Sequence, residues 1–166
     1  MLIRKIEIKD AEEFITLVKK VESESNYMLL ESGERQTTPE QQRRQLEIIE
    51  RQSNSVIFVT ENEKGNLIGY LIAMGGSARK TRHSIYLVIG ILEEYRGVGI
   101  GTRLFQELEN WAVHSNIVRL ELTVVTQNEA GVKLYKKSGF EVEGLKRKSL
   151  KIGKDYYDEY FMAKIL

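Results

Sequence analysis

Two hydrophobic periods alternate along this chain. Leu2 to Ile8 switches apolar and polar residues one by one, which predicts a half-buried strand. Ala11, Phe14, Ile15, Val18 and Val21 then recur at helical spacing behind Asp10, a residue type that caps helix starts. Ser23 to Gln36 is polar and irregular around the small cluster Tyr27-Met28-Leu29-Leu30. Thr38-Pro39-Glu40 follows, with a capping threonine and proline at the first helical position, and predicts a helix to about Arg51. Ser55–Thr60 and Leu67–Met74 are β-rich runs joined by Glu61-Asn62-Glu63-Lys64-Gly65-Asn66, the pattern of a hairpin.

The second half repeats the two periods. Ile85 to Ile91 is an apolar, β-branched strand. Ile100, Leu104, Leu108 and Trp111 or Ala112 form one face of a helix. Val118, Leu120, Leu122 and Val124 alternate with Arg119, Glu121 and Thr123 as a strand with one face inward. A short helix from Asn128 to Lys137 ends at Ser138-Gly139. Phe140–Lys151 and Tyr156–Ile165 are the last strands, around Gly153-Lys154-Asp155. The order β-α-α-β-β-β-α-β-α-β-β predicts one α+β domain over residues 1–166, with a mixed, mostly antiparallel sheet of about seven strands and four helices.

Composition narrows the classes. A chain of 166 residues buries roughly 70% of its unfolded surface. A net charge of +1 provides no global field for nucleic acid or an anionic membrane, and no apolar run is long enough to span a bilayer. The basic run Arg79-Lys80-Thr81-Arg82 lacks interleaved aromatics and reads as a solvated turn. Cysteine is absent, which removes disulfides and thiolate chemistry, and His83 and His114 have no partner at metal spacing, so no metal is expected. The first residues contain no signal-peptide apolar region, and a cytoplasmic location is the expectation.

The chemistry concentrates after the Ile85 strand. Arg96-Gly97-Val98-Gly99-Ile100-Gly101-Thr102 is a glycine-rich turn leading directly into a helix. Glycines let neighbouring amides face one ligand, and the helix adds its positive end, so the turn predicts a phosphate-bearing ligand. Gly101 is followed by Thr102-Arg103, without the lysine of a P-loop. The spacing G-x-G-x-G also departs from the dinucleotide turn G-x-G-x-x-G, and three antiparallel-looking strands precede it.

Arg96-x-x-Gly99-x-Gly101 resembles the Gln/Arg-x-x-Gly-x-Gly/Ala signature of the GCN5-related N-acetyltransferases, the GNAT superfamily. Asn128-Glu129-Ala130-Gly131-Val132-Lys133-Leu134-Tyr135, closing on Ser138-Gly139-Phe140, resembles the second segment of that family. The resemblance implies a three-layer α/β/α-like GNAT fold, acetyl-CoA as acyl donor and a cleft between two parallel strands, here Ile85–Ile91 and Val118–Val125. It implies the pantetheine against the backbone of Ile89, Gly90 and Ile91, and the diphosphate on Gly97, Val98, Gly99, Ile100, Gly101 and Thr102, with Arg96 at the ligand or bracing the loop. It also implies a hydrogen bond from Asn128 to the cofactor arm and Tyr135 as the acid for the departing thiolate. Many relatives pair as homodimers.

Transfer from a thioester to an amine creates an oxyanion, best met by a backbone N–H at a bulged strand end, expected near Ile91. An ammonium must also lose a proton. Some relatives carry a glutamate where this chain has Thr123, so Glu93, Glu94 and Glu121 are the candidate bases. Gly131, where alanine is commoner, either admits the cofactor or is neutral. Lys133, Lys136 and Lys137 are within reach of a CoA 3′-phosphate or simply solvated. The acceptor wall is expected from Ser25–Gln36 and Lys151–Tyr157. Its acids Glu24, Glu31, Glu34 and Asp155 tilt the acceptor toward a polyamine or another amino group, with an amino acid, an aminoglycoside or a protein amine as other candidates. A non-catalytic acyl-CoA sensor of the same fold is the alternative.

Overall fold

In the computed structural model, which describes residues 1–166, the two periods resolve into seven strands and four helices. Strand β1 (Leu2–Lys5) leads to helices α1 (Ala11–Glu24) and α2 (Pro39–Arg51), then strands β2 (Val56–Glu61), β3 (Leu67–Gly75) and β4 (Ser84–Ile91). Helix α3 (Ile100–His114), strand β5 (Arg119–Val125), helix α4 (Glu129–Lys137) and the hairpin of β6 (Glu141–Ile152) and β7 (Asp155–Ile165) complete it. No helix is long and apolar enough to cross a membrane.

Local chemistry sets most of these boundaries. Thr38 Oγ1 accepts the N–H of Gln41 at 3.2 Å, and Gln41 Oε1 accepts that of Thr38 at 3.0 Å, a capping box with Pro39 behind the cap. Asn62 Oδ1 accepts the amides of Lys64 and Asn66, each at 3.0 Å, and so turns the β2–β3 hairpin. The first strand is shorter than its alternation suggests. Asp10 does not cap α1 through its side chain; its carboxylate turns back to the amide of Glu7 and the guanidinium of Arg4. Those bonds curl Ile8–Asp10 into a 3₁₀ turn, so β1 ends at Lys5.

The seven strands form one sheet in the order β1-β2-β3-β4-β5-β7-β6. Every neighbouring pair is antiparallel except β4–β5. Helices cover both faces. A Cβ on Gly69 would meet Ile100 of α3 at 3.7 Å, whereas the next residue, Tyr70, sends its ring to the opposite face against Phe14 of α1, 5.6 Å between centroids. The apolar stripe of α3 is sealed, with Leu104, Leu108 and Ala112 fully buried. Each leucine contributes about 1.5–3 kcal/mol of burial, so this face holds the sheet rigid where the site lies.

Candidate active site

The parallel pair β4–β5 is short. Partners run only from Ser84↔Arg119 to Tyr86↔Glu121, although β4 continues to Ile91 and β5 to Val125. The two strands therefore diverge at their C-terminal ends. The β3–β4 ladder dictates what β4 offers to the opening. Gly76 N–H bonds Ser84 O and Leu92 N–H bonds Ile68 O, so the even-numbered residues of β4 turn their amides toward β3. The amides of Ile89 and Ile91 then face the opening. Gly90 does not join them, because its amide is directed to Tyr70, its β3 partner. The expected bulge at Ile91 is absent too, since the β3–β4 register runs unbroken through Gly69↔Ile91. The divergence from β5, not a bulge, exposes these amides.

Arg96 Nε donates to the carbonyl of Ile91 at 3.0 Å, which ties the glycine turn to the end of β4. Gly97 and Gly99 hold φ of +77° and +90°, a left-handed backbone that side chains rarely adopt. Gly99 is the N-cap of α3 and supplies no capping side chain, so the amides of Ile100, Gly101 and Thr102 keep no helical or side-chain acceptor. Nothing lies within 4 Å of where a Cβ at 97 or 99 would stand. This open row of donors at a helix N-terminus suits an anion. Gly101 serves the packing instead. A Cβ there would stand 2.8 Å from Leu134 Cδ2, so its absence lets α4 close on α3.

Helix α4 carries the second group. Asn128 Oδ1 accepts the amide of Gly131 at 3.0 Å and caps the helix, which leaves its Nδ2 as a donor. A Cβ on Gly131 would stand 2.7 Å from that Nδ2. Gly131 thus leaves room for the Asn128 side chain. Tyr135 is buried against Phe105 and Phe140, with centroids 5.9 and 6.2 Å away. Its hydroxyl has no protein partner and, unlike that of Tyr70, is not sealed from solvent. Burial pushes its phenol up to about 12, with Tyr86 adding to the shift. Lys133, Lys136 and Lys137 line a shallow groove with Tyr160 on the opposite face of α4 from Leu134 and Tyr135.

The three candidate bases are not together. Glu121 lies opposite Tyr86 where the strands still pair, and Arg119 Nε donates to it at 2.8 Å. Glu93 and Glu94 follow the far end of β4, roughly 16 Å away at about 3.3 Å per residue. There Glu24 Oε2 accepts the amide of Glu93 at 2.8 Å, and Lys20 lies 3.8 Å from Glu94. Thr123 is bonded to the hydroxyl of Tyr86 at 2.7 Å, a link across the diverging strands.

The α1 face adds groups that periodicity did not single out. Glu22 is buried and held by Arg35 from the irregular stretch before α2. Tyr70 is fully buried, with its hydroxyl over Gly90 and no hydrogen-bond partner. Burial pushes its phenol far above the ordinary value, and the nearby Glu22 carboxylate adds to this. Only the cross-strand alignment of Tyr70 with Gly90 could have announced this contact.

An opening between parallel strands, a helix start with unpaired amides and a buried phenol without a protein partner are the parts this fold supplies. The acetyltransferase (GNAT) family profile matches residues 21–140. The chain belongs to the GNAT acetyltransferase family. The L-amino acid N-acetyltransferase AaaT of Escherichia coli is 30% identical over 105 residues, 61% of this GNAT chain and 63% of that protein. The N-alpha-acetyltransferase RimI of Mycobacterium tuberculosis is 35% identical over 102 residues, 60% and 62% of the two chains. The matched stretch thus spans less than two thirds of either relative. Among solved structures, a GNAT-family acetyltransferase from Streptococcus pneumoniae matches with a TM-score of 0.95 at 31% identity, covering 99% of this chain and 98% of that one. A GNAT phosphinothricin acetyltransferase from Sinorhizobium meliloti, solved with acetyl-CoA, shares the fold at a TM-score of 0.86 and 20% identity, covering 99% and 88%.

Proposed function

We propose that this GNAT chain transfers the acetyl group of acetyl-CoA directly to a primary amine. The observation that carries the reading is the divergence of β4 from β5 after Tyr86↔Glu121, which leaves the Ile89 and Ile91 amides facing the opening. A pantetheine chain fits such an opening as an added strand, because the two amides otherwise lack partners. The amides of Ile100, Gly101 and Thr102, in the open turn held by Gly97, Val98 and Gly99, suit the diphosphate, and Asn128 Nδ2 suits an acceptor on the cofactor arm.

The amine nitrogen attacks the thioester carbonyl, the C–N bond forms, and the carbonyl oxygen takes up negative charge. An amide fixed in β4, that of Ile91, is aimed to meet it. Collapse breaks the C–S bond. The thiolate takes the proton of the Tyr135 phenol, which its raised pKa of about 12 keeps protonated at neutral pH, and the phenolate recovers through water the second proton that the adduct nitrogen sheds on becoming an amide. The ammonium's proton leaves through water toward Glu93 and Glu94 at the end of β4, while Glu121 is bound to Arg119 at the paired end.

A thiol-release assay over a panel of amines, with Tyr135→Phe beside the unaltered chain, tests this. Acceptor-dependent release of CoA, lost in the variant, is the expected result. Tight acetyl-CoA binding with no acceptor-dependent release would instead establish an acyl-CoA sensor.

A further inference from the structure

We infer that the hydrogen bond between Tyr86 and Thr123 closes the deep end of the opening and so limits the length of acyl chain that the site accepts. This rests on the acetyl-transfer reading above and names which acyl-CoA donors fit it.

The direction of the donor follows from where its two ends can lie. The unpaired amides of Ile100, Gly101 and Thr102 stand beyond the C-terminal end of β4, so a donor whose diphosphate they hold enters from the diverging ends. With the thioester carbonyl at the Ile91 amide, the acyl chain points back along β4, toward the level where the strands still pair. That end is blind, because the backbones of β4 and β5 are joined up to Tyr86↔Glu121.

Both faces of the sheet are closed there as well. Tyr86 and Glu121 are partners, and Thr123 follows Glu121 by two residues, so Tyr86 and Thr123 share the α1 face. Their hydroxyls meet at 2.7 Å, across the first residues beyond the paired segment. Leu87 and Leu122 point to the α3 face beneath them, and both are buried. Tyr86 itself is 39% exposed, so the bond to Thr123, not close packing, holds its ring over the opening. Thr123 stands level with Val88, three residues short of Ile91, which is about 10 Å of strand. That length takes a short acyl chain, whereas an extended eight-carbon chain fills it and presses on the bridge. A bond that merely tied the two strands would matter to stability and leave every donor equally well bound.

Calorimetric titration with CoA, acetyl-CoA, butyryl-CoA and octanoyl-CoA tests this independently of the acceptor. Acetyl-CoA and butyryl-CoA are expected to bind alike, and octanoyl-CoA about tenfold more weakly or worse. Tyr86→Ala removes the bridge and is expected to narrow that gap severalfold, with the affinities for CoA and acetyl-CoA unchanged. Tyr86→Phe keeps the ring and with it the fold, but frees the ring from Thr123, and it is expected to narrow the gap less. Octanoyl-CoA bound as tightly as acetyl-CoA by the unaltered chain, or a gap that Tyr86→Ala leaves intact, would overturn the inference and leave acetyl transfer standing. Failure of CoA and all three thioesters to bind would overturn the acetyl-transfer reading as well.

Discussion

The Tyr70 ring lies so close over Gly90 that a Cβ at position 90 would stand 2.5 Å from its Cζ and 2.6 Å from its hydroxyl oxygen. Phe14 packs edge-on against the same ring, at an interplanar angle of 86°, and prevents it from retreating. Gly90→Ala therefore overpacks a closed site and is expected to cost about 1–3 kcal/mol. Combined with Tyr70→Ala, the same substitution meets an empty space. Urea denaturation of the two single variants and the double variant checks this, and additive costs would show that the two residues are not coupled.

Tyr70→Phe predicts the opposite sign. The hydroxyl is buried and has no partner, so the fold bears its desolvation cost without a hydrogen bond in return. Its removal should leave stability unchanged or raise it by up to about 1 kcal/mol. A melting temperature clearly below that of the unaltered chain would reveal a structural bond to the hydroxyl.

Tyr135→Phe keeps the aromatic packing against Phe105 and Phe140 and removes the acid. The turnover rate is expected to fall by about 10²-fold or more, with acetyl-CoA affinity unchanged by calorimetry. The raised pKa carries a stability signature. The folded state favours the protonated phenol up to about 12, whereas an unfolded tyrosine titrates near 10. The contribution is fully present below about pH 10 and is lost as pH rises toward 12. Thermal melts between those pH values should fall more steeply for the unaltered chain than for Tyr135→Phe.

The parts of this site that lie close together in sequence were legible there. Ile85–Ile91, the glycine turn and α3 are continuous, and Asn128 and Tyr135 share one short helix, so spacing alone carried them. Contacts made across the fold were not legible. Arg35 lies in a stretch with no period, and nothing local ties it to Glu22. The divergence of β4 from β5 depends on where two distant strands stop pairing, so a bulge at Ile91 was a reasonable expectation and an incorrect one. Glu121 looked like a free carboxylate because alternation does not reveal that Arg119, two residues earlier on the same face, binds it.

Gly99 and Gly101 stand two residues apart and should fail differently. Alanine at 99 meets no atom within 4 Å but inherits a φ of +90°, a backbone strain of roughly 1–2 kcal/mol. Its methyl also projects from the open turn, and acetyl-CoA affinity should drop about tenfold or more, most visibly at low salt. Alanine at 101 instead presses on Leu134 and should disturb stability more than affinity. Calorimetric titration and thermal melts of the two variants separate these effects.

Proton removal from the acceptor can be assigned by comparing carboxylates at the two ends of β4. Glu121→Gln leaves Arg119 its bonds to Glu143 and changes nothing at the diverging ends, so kcat/KM should stay within about threefold. The paired change Glu93→Gln with Glu94→Gln should lower kcat/KM about tenfold at pH 7, because water alone must then take the ammonium's proton. Below its own pKa the amine becomes tenfold more neutral with each pH unit. The deficit of the paired variant should therefore narrow markedly by pH 9. A deficit that stays constant across that range would mean that Glu93 and Glu94 shape the end of β4 and take no part in moving the proton.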